Sequence, residues 1–141
     1  MQKPLVLAAA GLALAALPLL SACSEQLADP IASARTLADA PVWVSNPSGT
    51  DCGEVELEND GALPAESLQC LMDASEAGEV ASLQWVRWTT EGDPTPYFVL
   101  TGGAGATVAS TAAYDTYGQG RWSEYGCTEI AALPGCSDEG E

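Results

Sequence analysis

The chain has 141 residues, four basic and 20 acidic with no histidine, for a formal net charge of −16. All 20 acids follow Cys23, and Lys3 is the one base before it, so the rest of the chain sets Arg35, Arg87 and Arg121 against 20 acids, a net −17. That balance excludes nucleic acid, whose affinity comes from Lys and Arg on phosphates, and disfavours anionic lipid headgroups; it suits solvation, a cation or a basic partner.

Residues 1–22 read as a secretory signal. Lys3 supplies the positive start, and 5–22 is a run of 18 uncharged residues ending in small side chains. Eighteen is also the lower edge of a bilayer span, but Pro18 weakens a continuous helix there. Leu20-Ser21-Ala22-Cys23 resembles a lipobox. The resemblance implies cleavage before Cys23, acylation of its thiol and a partner in the lipid bilayer. The expected location is the outer surface of the cell membrane, after export.

Residues 23–50 carry Pro30, Pro41 and Pro47 among small and polar side chains, and Asn46-Pro47-Ser48-Gly49 is a turn signal. The stretch is expected to be a flexible tether, with a short helix near 31–38 and Trp43 as the first packed side chain. Four cysteines follow: Cys52, Cys70, Cys127 and Cys136. An even number in an exported chain points to disulfides, and the lack of His and of C-x-x-C spacing argues against zinc. Of three connectivities, Cys52–Cys70 and Cys127–Cys136 are preferred because each closes a short loop.

The segment 51–60 alternates Glu54, Glu56 and Glu58 with Val55 and Leu57, the pattern of a solvated, charged edge strand. A helix is expected over 63–77, with Pro64 opening it, Gly78 stopping it, and Ala65, Leu68, Leu71, Met72 and Ser75 on one face. Strands are expected at 82–90, 95–101, 106–113 and 121–130, with turns at 91–94 and 102–105 and a loop at 114–120. The fold class is therefore α+β: one helix on a four-stranded antiparallel meander, in two layers, stapled by disulfides. The single domain spans 51–137, with 138–141 as an acidic tail.

The order Cys52-Gly53, then Cys70-Leu71 late in the helix, then Thr89-Thr90-Glu91-Gly92-Asp93-Pro94, then Asp115-Thr116-Tyr117-Gly118 and a late Cys, resembles an uncharacterised family of Gram-positive, actinobacterial-type lipoproteins. The likeness covers 52–127. Members often have a hydrophobic residue after the proline, where this chain has Thr95. The resemblance implies fold and location, with no activity attached.

Catalytic constellations are sparse. Without His there is no Ser-His-Asp or Cys-His arrangement, and without Lys after Cys23 there is no Schiff base. Gly102-Gly103-Ala104-Gly105 lacks the Lys and helix of a phosphate loop. Glu91, Asp93 and Asp115 form a candidate cation or ligand loop, with a plain turn cap as the alternative; no metal and no cofactor are expected. Trp85, Trp88, Trp122, Tyr97 and Tyr125 read as core and cross-strand packing, or as a binding patch if exposed together. The expected function is a non-catalytic binding or accessory lipoprotein of the envelope, with an envelope protein as partner. The alternatives are a carboxylate- or metal-dependent enzyme and a module like a secreted protease or β-lactamase inhibitor.

Overall fold

The computed structural model describes residues 27–58, 61–103 and 105–136. The signal segment, Cys23 and the acidic tail lie outside the described residues. The elements in chain order are α1 (Pro30–Arg35), α2 (Val42–Ser45), β1 (Thr50–Leu57), α3 (Ala65–Glu76), β2 (Ala81–Trp88), β3 (Pro94–Thr101), β4 (Ala106–Thr111) and β5 (Trp122–Cys127), followed by a 3-10 turn at Ile130–Ala132.

The class is α+β, but the sheet has five strands and is mixed. Strand order is β1-β2-β3-β4-β5. The last four run antiparallel to their neighbours, while β1 lies parallel to β2. The reason is topological. After β1 the chain climbs back through α3 before entering β2, and such a crossover returns the next strand in the same direction. The expected four-stranded, purely antiparallel sheet left that strand out. It occupies one edge, where its carboxylates remain wet.

α3 starts one residue after Pro64 and ends at a glycine stop. Gly78, at φ 70°, donates its N–H to Ser75 O, and Glu79 N–H reaches Ala74 O at 2.8 Å. These are the paired bonds that close a helix through a left-handed residue. Ser67, Leu71 and Ala74 form its buried centre, and Leu68, Cys70 and Met72 flank it. The expected face was thus rotated: Cys70 packs inward and is joined to Cys52 of β1 across 5.7 Å between Cα atoms. A bulge at Asp51/Glu54, with Gly53 at φ 108°, interrupts the register of β1 beside that bond. Cys127 is joined to Cys136, which folds the 3-10 turn under α3.

α3 and the 3-10 turn cover one face of the sheet, over Leu57, Leu83, Trp85, Val99 and Val108. The opposite face is covered by the segment expected to be a tether. Ile31, Ala34 and Val44 pack on Val86, Phe98 and Ala109, with Trp43, Trp88, Tyr114 and Trp122 at the margin. The molecule therefore has three layers, and its folded body reaches back to Asp29. α1 forms because Asp29 caps it, its carboxylate accepting the Ala32 N–H at 2.8 Å, and because Pro30 fits the first helical position. With both faces covered, β2 is buried along its first six residues. Its buried Gln84 is satisfied: it accepts from Arg35 Nη2 at 3.0 Å and donates to Asp51 Oδ1 at 3.1 Å and Gly53 O at 2.9 Å.

Candidate functional site

The expected loop acids lie at the end of the sheet where β2 leaves and β5 enters. Asp93 Oδ2 accepts the backbone N–H of Thr116 at 2.7 Å, tying the β2–β3 turn to the β4–β5 loop. Asp115 Oδ1 accepts the Tyr117 N–H at 2.8 Å, an Asx turn, and Glu91 Oε2 accepts from Thr90 Oγ1 at 3.0 Å. The bond from Thr116 holds the Asp93 carboxyl below its ordinary range, despite a small opposing desolvation. Among the described residues no group of three or more His, Cys, Asp or Glu side chains is arranged to hold a metal ion. Asp93 and Asp115 are brought to neighbouring loops, but their oxygens are directed at backbone N–H groups.

The same bonds fix a protruding loop. Thr116 and Tyr117 are held through their N–H groups, and Gly118 N–H donates to Asp115 O at 3.1 Å. Tyr117 projects from this turn with 80% of its surface exposed.

The expected aromatics divide between the two cores. Trp85 stacks on its cross-strand partner Tyr97, centroids 5.2 Å apart and planes 3° from parallel. Trp122 packs at 5.9 Å from Phe98 on the opposite face. Tyr125 sits partly buried against the α3-side core. Trp88 departs from plain packing: its indole N–H donates to Glu56 Oε1 at 2.9 Å.

Trp88 also lines a groove of about 600 Å³. Leu27, Ala28, Asp29 and Pro30 form one wall; Glu54, Val55 and Glu56 of β1 and Val86 and Trp88 of β2 form the other. Alternation in β1 sends Glu54 and Glu56 to the α1 side, where Asp29 already stands as the cap of α1. Burial raises the Glu54 carboxyl above its ordinary value; Asp29 and Asp51 add to the rise, and Arg35 opposes it. The groove thus gathers negative charge beside an indole and an aliphatic wall. Glu54 and Glu56 were visible in the sequence as one charged face. Asp29 was not, although Asp-Pro ahead of an apolar residue is a helix-start signal that could have found it.

Among the described residues no helix is long and apolar enough to cross a membrane. No protein-family model, no curated protein and no solved structure matches the chain.

Proposed function

We propose that the protein is a non-catalytic binding or accessory module of the cell envelope, exported and held at the membrane through acylated Cys23, and that it engages a positively charged group in the groove between residues 27–30 and β1–β2. The groove itself carries this reading: Asp29, Glu54 and Glu56 line it together with Trp88. Carboxylates next to an indole face suit an ammonium or guanidinium, through charge and cation–π attraction together. The lipobox-like Leu20-Ser21-Ala22-Cys23 and the two disulfides support an exported location.

Titration of the soluble chain from Ser24 onward with pentalysine tests the groove. Binding should weaken steeply with salt and be lost in the Glu54→Gln/Glu56→Gln double variant. Equal affinity in that variant removes the groove from the proposal. For the anchor, Cys23→Ala should abolish incorporation of labelled palmitate.

A second reading, a module that inhibits an exported enzyme, is favoured by Tyr117. A rigid turn presenting a largely exposed tyrosine is a preorganised contact for a pocket on a protein partner.

A further inference from the structure

The chain leaves the folded body at Asp29. Its carboxylate accepts the Ala32 N–H at 2.8 Å, and its carbonyl accepts the Ser33 N–H at 3.1 Å. Ile31, two residues on, is 1% exposed. Asp29 therefore cannot travel without unseating α1. Only six peptide links separate it from Cys23. Fully extended, they reach about 20 Å. A spacer running to Thr50 has 27 links, and would reach about 95 Å. The packing of α1 removes most of that freedom.

We propose that the face from which the chain emerges, the groove formed by residues 27–30 with β1 and β2, lies against the bilayer, and that the occupant of this face is a layer of zwitterionic lipid headgroups. The inference deepens the function proposed above and rests on acylation of Cys23. The leash fixes which face is presented, because its fixed end opens directly into the groove. Charge fixes the kind of lipid. Asp29, Glu54 and Glu56 line the face, and Arg35 is the cation that acts on Glu54. Such a face repels phosphatidylglycerol-like headgroups and accommodates the outward ammonium of a zwitterionic one. Trp88 is suited to that depth, with an apolar ring beside Val86 and its N–H turned to Glu56. A domain held this close meets only partners whose sites lie in the membrane plane, since a short leash sets a high effective concentration there and none farther out.

The test uses the acylated full-length protein in phosphatidylcholine vesicles that carry a dansyl group on a fraction of the headgroups. Energy transfer from the tryptophans to dansyl is compared with that of a variant holding 20 Gly/Ser residues inserted after Ser24. The expected result is at least a twofold loss of transfer on insertion. A lower transfer for the native spacing when phosphatidylglycerol replaces a third of the lipid is also expected, with Glu54→Gln/Glu56→Gln recovering it. Equal transfer with and without the insert overturns the close docking; indifference to phosphatidylglycerol overturns the choice of headgroup. Mass analysis of Cys23 is read separately. If the thiol carries no lipid, the anchor reading fails, and coupling Cys23 to a maleimide lipid still measures whether six links hold the face to the bilayer.

Discussion

Replacing Ile31 with alanine discriminates between a tether and a structural layer. Ile31 is 1% exposed and packs with Ala34, Val44, Val86, Phe98 and Ala109 in the core between α1 and the sheet. The substitution removes three carbon atoms, a loss of burial of roughly 2.5 kcal/mol at about 0.8 per methylene. The cavity adds to this, because strands β2 to β4 cannot close over it, so the expected cost is about 3 kcal/mol. Urea unfolding of the oxidised soluble chain, followed by far-UV circular dichroism, should show a lower midpoint and an unchanged slope. Val42 is the internal control. It lies in the same region at 79% exposure, and Val42→Ala should shift stability by less than about 0.5 kcal/mol. A cost for Ile31→Ala as small as that of the control would refute the packing of α1, and with it the short leash.

The remaining predictions concern single atoms and single bonds. Thr101 is fully buried, and its Oγ1 accepts the Ala81 N–H at 2.7 Å, so Thr101→Val keeps the shape but orphans that N–H; chemical denaturation should register a loss of about 1–3 kcal/mol. Removing the Cys52–Cys70 bond by double alanine substitution opens a loop of sequence separation 18; the chain-entropy relation gives a cost of about 3 kcal/mol, read from the same denaturation curves. The pH dependence has opposite signs at two acids. Glu54 is raised in the folded state, so its protonation favours folding below the ordinary glutamate range, and that benefit is lost as pH rises through the raised value. Glu54→Gln should therefore be more stable than the native chain at pH 7, the difference shrinking on acidification. Asp93 is lowered, so its contribution is present above the ordinary aspartate range and disappears as pH falls through the lowered value. Carboxyl titration by NMR should place Asp93 below and Glu54 above their usual positions, and the opposite order would invalidate both assignments.

Much of the sheet was legible because strand signals are local. Alternation and turn chemistry located β2 to β5 to within a few residues, and the short loops between Cys pairs favoured the observed connectivity. What escaped was long-range. The α1 apolar face has few large side chains, Ile31 with Ala34, so its periodicity is weak, and Pro30 reads equally as linker or helix start. Its packing depends on a sheet face that does not exist until β2, β3 and β4 pair. The doubly buried β2 carried a hint: Val86 and Trp88 on one parity and Leu83 and Trp85 on the other imply cover on both sides, and α3 alone supplies one. The parallel β1 was likewise implied by strand–helix–strand order, although its three glutamates suggested an edge without naming the neighbour. In the candidate site, the β1 carboxylates could be read from alternation, but their meeting with Asp29 depends on α1.

The Thr89–Pro94 segment shows how a conspicuous motif can be absorbed by folding. Thr89 N–H donates to Asp93 O at 2.8 Å, Asp93 N–H donates to Thr89 Oγ1 at 3.1 Å, and Gly92 supplies the positive φ, 90°, that closes the turn. Asp93 then reaches across to Thr116. Pro94 opens β3, where a missing N–H costs the ladder least. Thr90 and Glu91 are left, and they are exposed and bonded to each other. A cation there would compete with backbone bonds that already stabilise two loops, and an isolated Glu91 offers too few oxygens to win that competition. The groove beside Trp88 is in the opposite condition. There Glu54 is raised chiefly by burial and then by the charge of Asp29, with Arg35 opposing and Asp51 adding. An approaching positive group would favour the charged form of Glu54, whereas at the Asp93 loop it would meet a carboxylate already held by a backbone N–H. The difference supports the groove as the proposed binding surface, while the bonds of Thr89, Gly92 and Asp93 make the motif a strut.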